Sequence, residues 1–169
     1  MSDSNAIIYA SRNLQKSPVG PLTVYGTDAG LAQIDFGLVR EVPTSDPQVN
    51  LLLDLVIQQL TEYFYAGRRH FDLPIDWRAM QPYQEQVLKA SYSIPYGQTR
   101  TYGELAIQTG KGLEAARAVG SIMASNPIPI VIPCHRVVGK DGKLHGYGSP
   151  GGVEDKALLL KLEGQRIVA

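Results

Sequence analysis

The first half of the chain mixes two hydrophobic periods, and the second half keeps mainly to one. Leu22-Thr23-Val24-Tyr25 and Leu31-Ala32-Gln33-Ile34-Asp35-Phe36 read as strands, with Ala32, Ile34 and Phe36 on one face. Asp28-Ala29-Gly30 supplies the turn that joins them into a hairpin. Residues 38–46 read as loop. Asp46-Pro47 then starts a helix, with the aspartate as N-cap and proline at the first position, where its missing N–H costs nothing. Leu52, Val56, Leu60, Tyr63 and Phe64 recur at steps of three and four, and Gly67 ends the run. His70-Phe71-Asp72-Leu73-Pro74-Ile75 reads as a further strand with proline at an edge. Arg78-Ala79-Met80-Gln81-Pro82 reads as a linker, which predicts a small α/β domain over 1–78, a linker at about 79–82 and a second domain over 83–169.

The second domain reads as mainly helical. Tyr83 to Ser93 forms a helix stopped by Ile94-Pro95 and Gly97. Thr101-Tyr102-Gly103-Glu104 is a capping box, in which hydroxyl and carboxylate satisfy free backbone N–H groups at a helix start. That short helix breaks at Gly110-Lys111-Gly112, and another runs from about Leu113 to Ser125, before Asn126-Pro127. Two helices around a glycine break resemble a helix-turn-helix, an arrangement shared with any αα-corner. In the second of them Ala115, Ala116, Ala118 and Gly120 surround one long side chain, Arg117. A helix that reads the major groove carries several polar side chains, whereas small residues suit a narrow surface such as a minor groove, with Arg117 as a probe. The alternative is a small face packed against protein. The last helix, Val153 to Glu163, turns Val153, Ala157 and Leu160 inward and stops at Gly164. Glu163 sits where the helix dipole disfavours a carboxylate, so a partner is expected, with His135 as a candidate and plain exposure as the alternative.

Composition narrows the class. An apolar content of 44% suits a globular chain, and no apolar run is long enough to cross a membrane. The start Met1-Ser2-Asp3-Ser4-Asn5 lacks the basic and apolar regions of a secretory signal, and a single cysteine fits a reducing compartment. An intracellular protein is expected. The net charge of zero hides an asymmetry: residues 1–88 carry a net −4 and residues 89–143 a net +4. A basic second part favours an anionic partner.

Cys134 lies in that basic part, within Asn126-Pro127-Ile128-Pro129-Ile130-Val131-Ile132-Pro133-Cys134-His135-Arg136-Val137. A lone thiol makes no internal disulfide and no cysteine-rich metal site. It is a buried bystander or a nucleophile. His135 and Arg136 favour the nucleophile, because adjacent positive charge lowers a thiol pKa, and the prolines fix the backbone of what reads as a strand carrying the sulfur. Gly146-Tyr147-Gly148-Ser149-Pro150-Gly151 matches a dinucleotide-binding pattern only nominally. Pro150 interrupts it and too little chain follows for the required unit, so a flexible loop around Tyr147 is expected instead.

Pro133-Cys134-His135-Arg136-Val137 with Asn126-Pro127 before it resembles the active-site signature of the O6-alkylguanine-DNA alkyltransferases, the methylated-DNA–protein-cysteine methyltransferases. The resemblance extends to Ser17-Pro18-Val19-Gly20-Pro21-Leu22, Leu60 to Phe64 and Phe71 to Pro74 in the first domain. In the second it includes Ile94 to Gly97, Thr101 to Ala106 and Ala116 to Gly120. It implies an α+β protein: a small ribonuclease-H-like α/β domain followed by a winged-helix domain. It implies double-stranded DNA containing O6-alkylguanine as partner, bound through the minor groove, with the damaged base flipped toward the thiol. The alkyl group then passes to the protein once per molecule. The resemblance calls for no cofactor, and this chain lacks the cysteines that some relatives use for zinc. The sequence carries no oligomer signal, so a monomer is expected, located in the cytoplasm, or in the nucleus if the source is eukaryotic.

Residue by residue, the resemblance makes Cys134 the nucleophile, His135 a base acting through water, and Glu163 the group that orients it. Tyr102 donates to the leaving guanine. Asn126 braces the turn before the cysteine, the carbonyls of Cys134 and Val137 accept from the guanine amino group, and Tyr147 with Gly148 forms the pocket wall. Arg117 replaces the extruded base, Ala115, Ala116, Ala118 and Gly120 meet the groove, and Arg136 joins the DNA-binding set. The chain departs from the pattern at Gly148-Ser149-Pro150-Gly151-Gly152, a longer loop that bears on pocket shape, and at Leu88, where the family has tryptophan. Two other classes fit parts of the pattern: a cysteine hydrolase using Cys134 and His135, and a damage sensor that binds without transfer.

Overall fold

A computed structural model describes residues 9–167. The stretch Met1–Asn5, read above for targeting, lies outside the described residues. The chain divides into two compact units, 1–78 and 79–169, and has mixed α and β content. Among the described residues no helix is long and apolar enough to cross a membrane.

The first unit is a three-stranded antiparallel sheet and one long helix. Strands β1 (Ala10–Leu14), β2 (Leu22–Thr27) and β3 (Gly30–Phe36) lie in sequence order. The β2–β3 hairpin closes through Asp28-Ala29, with Thr27 paired to Gly30. Gly30 has φ +137°, and a Cβ there would stand 2.5 Å from the carbonyl oxygen of Pro74, so no other residue fits. Helix α1 (Pro47–Tyr65) starts as its sequence requires: the Asp46 carboxylate accepts from the backbone of Gln48 at 2.9 Å, and Pro47 follows. Its buried stripe of Leu53, Val56, Leu60 and Tyr63 packs on the sheet, against Leu22, Val24, Leu31 and Ile34.

Two sequence expectations change here. Strand β1 has no apolar alternation to announce it, and its pairing with β2 and the bonds between Ser11 and Val42 define it. The expected strand over 70–75 reduces to one parallel bridge between Leu31 and Ile75. The N–H of Leu31 donates to Pro74 and that of Asp76 to Leu31, both at 2.8 Å. Prolines and polar side chains on either side prevent a longer ladder.

Asp76 locks that bridge. Its buried carboxylate accepts from Thr27 Oγ1 at 2.6 Å and from the backbone and guanidinium of Arg78, which also pairs with Asp28.

In the second unit, α2 (Pro82–Tyr92) opens with the Gln84 side chain accepting from the Gln81 N–H at 3.2 Å. Leu88, a departure expected to be a packing change, is fully buried. Strand β4 (Arg100–Thr101) leads into α3 (Tyr102–Gln108), whose start carries the Thr101–Glu104 capping box, with bonds of 3.0 and 3.1 Å. A 3-10 turn (Leu113–Ala115) precedes α4 (Ala116–Ala124), which packs on α3. Strand β5 (Val137–Val138) pairs in parallel with β4, and α5 (Val153–Leu162) completes the unit. Val153 proves exposed, Leu160 is buried as expected, and Lys156 and Leu159 complete the buried stripe of α5.

Arg78 hydrogen bonds dominate at Asp76, outweigh burial, and hold its pKa at about 2. Because the folded value lies below the unfolded one, the contribution to stability is full above about pH 4 and fades as pH falls toward 2. Asp76→Asn is expected to cost about 1–2 kcal/mol at neutral pH and to flatten this acid limb in urea unfolding followed from pH 7 to 2.

Candidate functional site

The segment before the cysteine is a chain of tight turns, not a strand. The Val131 N–H donates to Pro129 at 2.9 Å around Ile130, which holds φ +73°, a strained γ-turn for a β-branched residue. The Cys134 N–H donates to Ile132 at 2.8 Å around Pro133, at φ −82° and ψ 66°, an inverse γ-turn. Cys134–Arg136 then forms one 3-10 turn leading into β5. Prolines at 127, 129 and 133 remove the donors a strand would need. Asn126 stitches the turn from inside: its amide donates to Ile132 at 2.9 Å and its carbonyl accepts from Ile128 at 3.0 Å.

Behind the cysteine lies a buried ionic knot. Glu163, the C-cap of α5, takes Arg136 in a two-point clasp at 2.8 and 2.9 Å and His135 Nε2 at 2.8 Å. The remaining Arg136 nitrogen donates to the carbonyl of Ile94, just past α2, at 2.7 Å. The knot thus ties α2, the cysteine turn and α5 together. Burial would raise the Glu163 pKa, but hydrogen bonds from His135 and Arg136 outweigh it and hold the group at about 2. Burial pushes His135 down despite Glu163, so the ring is neutral. With Nε2 facing a carboxylate, the tautomer places its proton there and leaves Nδ1 as an acceptor. Nδ1 has no protein partner among the described residues.

Two sequence expectations are corrected by this knot. The sequence places Arg136 in the DNA-binding set and beside the thiol as an activating charge. Its guanidinium is buried and committed to Glu163 and Ile94, so it is not presented to a DNA backbone and its charge is already neutralised. The Cys134 thiol is accordingly not lowered. Burial pushes it up, and Asn126 and the charge of Lys156 offset this only in part.

Cys134 opens on a cavity of about 1160 Å³ that Tyr102, Ala116, Arg117, Gly120, Tyr147 and Gly148 also line. The structure therefore brings seven of the expected site residues around one cavity. Asn126, His135, Val137 and Glu163 stand behind it, while Ala115 and Ala118 flank Arg117, with Ala118 and Arg117 exposed. A Cβ on Gly120 would meet the Tyr102 ring at 3.9 Å, an ordinary contact, so this position of α4 faces Tyr102 on α3. The loop after Tyr147 is anchored rather than loose: the Asp155 carboxylate accepts from Ser149 Oγ and, at 3.0 Å, from the Gly151 N–H.

Sequence reasoning missed Lys156. It is fully buried and donates to the carbonyl of Val137 at 2.7 Å and to the Tyr102 hydroxyl at 3.3 Å. Burial lowers its pKa to about 8, against the opposing pull of Cys134. One lone pair of Val137, expected to serve the guanine amino group, is therefore already used. The available signal was a lysine sharing a helix face with Leu159, Leu160 and Glu163, at steps of three and four. Tyr102 is raised by burial and then by Cys134, so its hydroxyl keeps its proton as a donor. Among the described residues no group of three His, Cys, Asp or Glu is placed to hold a metal ion.

Glu163→Gln leaves the Arg136 guanidinium buried without its counter-charge. The expected cost is about 3–5 kcal/mol in chemical denaturation; a loss below about 1 kcal/mol would contradict the knot's role.

Comparisons with known proteins agree with this geometry. Residues 82–165 match the family model for the DNA binding domain of 6-O-methylguanine DNA methyltransferase, and residues 9–77 match its ribonuclease-like domain. A methylated-DNA–protein-cysteine methyltransferase of Methanosarcina barkeri is 44% identical over 151 residues, covering 88% of this chain and 93% of the relative. One from Mycobacterium bovis is 42% identical over 158 residues, covering 90% and 92%. The crystal structure of Mycobacterium tuberculosis OGT in complex with DNA superposes with a TM-score of 0.77 at 40% identity, covering 91% of this chain and 92% of that one. With both halves matched by its models and relatives aligned over most of its length, the chain belongs to the 6-O-methylguanine DNA methyltransferase family.

Proposed function

We infer that this protein repairs double-stranded DNA by moving the alkyl group of O6-alkylguanine onto Cys134, once per molecule. The observation that carries the reading is the joint placement of the thiol on the cavity wall and the His135–Glu163 pair directly behind it. A relative of 40% identity solved in complex with DNA supports the choice of partner.

The low, small-residue face of α4 enters the minor groove. Arg117 takes the place of the base that leaves the stack, because the O6 alkyl carbon is out of reach of a fixed nucleophile while the base is stacked. Water carries the Cys134 proton to His135 Nδ1, and Glu163 steadies the imidazolium that forms. A thiol held protonated at rest is spared from oxidation and gains its charge only as the base accepts the proton. The sulfur attacks the alkyl carbon, an S–C bond forms, the C–O6 bond breaks and its electron pair leaves on guanine. The Tyr102 hydroxyl gives guanine a proton, and Lys156 stabilises the charge left on the tyrosine oxygen. The thiol proton on His135 restores the balance when the site reopens to water. The thioether product has no easy leaving route, so the protein is consumed. A free thiol and a DNA substrate favour work in the cytoplasm, or in the nucleus of a eukaryote, and one active face suffices for a monomer.

The test is intact mass after mixing the protein with duplex DNA carrying one O6-methylguanine. A gain of one CH2 unit is expected, mapped to the Cys134 peptide and saturating at one per molecule. Cys134→Ala should show no gain yet keep DNA affinity. Tight binding without any gain in the wild type would assign the chain to damage sensing.

A further inference from the structure

We propose that His145 is a positioning residue for Tyr102, holding the tyrosine ring so that its hydroxyl faces the cavity beside Lys156. The proposal deepens the functional reading above and rests on it.

The turn after β5 closes through bonds between Gly139 and Lys143 and between Gly142 and Gly139, each of 2.9 Å, and brings the chain back to the cavity rim. There His145 holds φ +53°. Ile130 in the cysteine turn is the other non-glycine residue with positive φ among the described residues. Histidine accepts this conformation better than most side chains, and the residue stays exposed at the rim, where it lines the cavity. The ring lies over the α-carbon of Gly139, where a Cβ would stand 2.2 Å from Nε2. A side chain at Gly139 would displace the ring from this position. From there His145 meets Tyr102 edge to face, with ring centroids 5.9 Å apart and planes at 71°. This is a favoured geometry for an aromatic pair, with the edge of one ring toward the face of the other.

Tyr102 is therefore held from two sides. Lys156 Nζ sits 3.3 Å from its hydroxyl and 5.7 Å from its ring centroid. That hydrogen bond fixes the oxygen but leaves the ring free to turn about its long axis and rock. The ring contact with His145 removes that freedom. A hydroxyl that must meet a leaving guanine in one orientation gains from a ring already held there.

The experiment removes the ring without disturbing the backbone. Asparagine and glycine both accept positive φ, so His145→Asn and His145→Gly are made in the wild type and in Tyr102→Phe. Single-turnover transfer from O6-methylguanine duplex is measured at saturating DNA, alongside DNA affinity. Both variants should slow transfer about three- to tenfold with affinity unchanged. In Tyr102→Phe, which has no hydroxyl to place, they should change nothing further. Equal slowing in both backgrounds, or a loss explained by affinity, would overturn the proposal. Ring-proton NMR of the free protein reads the contact without any reaction. Tyr102 shifts should move in His145→Asn and His145→Gly, and unmoved shifts would also overturn it. Failure of the wild type to transfer would instead count against the functional reading.

Discussion

The carboxylate of Glu163 accepts one hydrogen bond from His135 and two from Arg136, all at 2.8 to 2.9 Å and all out of water. A carboxylate at a helix C-terminus is disfavoured by the helix dipole, and a buried one is costly unless fully paired. The Arg136 charge meets both demands. Because Arg136 also reaches the end of α2 through Ile94, a single ion pair fixes three elements around the cysteine. The same carboxylate sets the tautomer of His135. Architecture and proton chemistry therefore depend on one group, and neither can be altered alone.

Around this knot the site stores strain and buried charge. Ile130 holds a conformation that β-branched residues avoid, and the Pro133 turn delivers Cys134 to the cavity. Lys156 is kept inside at the cost of a pKa lowered to about 8, with Val137 and Tyr102 as its partners. These costs are tolerated because Leu88, Ile128, Ile130, Ile132 and Leu159 bury a continuous apolar core beside them. The cysteine is shielded rather than pre-ionised, and its activation is assigned to a base that Glu163 alone positions.

Local chemistry was readable in the sequence, and long-range pairing was not. Asp46-Pro47 and Thr101 to Glu104 announced their helix starts because a cap is a bond between near neighbours. Cys134 stood out by being alone. Strand β1 was invisible because Ser11-Arg12-Asn13 has no alternation, and its existence depends on β2. The parallel pair β4–β5 is too short to leave any pattern. The apolar run before Cys134 read as a strand by composition, whereas its prolines remove the donors and turn the backbone. Arg136 was assigned to DNA because a basic residue beside a nucleophile looks available, and its clasp with Glu163 joins positions far apart in sequence. Lys156 was passed over because lysine on a helix is ordinarily solvated, and its burial depends on the turn that β5 begins.

Burial keeps His135 neutral against the pull of Glu163, and Glu163 fixes the ring proton on Nε2, which leaves Nδ1 to receive one from Cys134. Nitrogen NMR of the labelled free protein across neutral pH reads that state directly. A protonated Nε2, an unprotonated Nδ1 and no titration of the ring as pH falls from about 8 to 6 are expected. An imidazolium at neutral pH, or a proton resident on Nδ1, would contradict it.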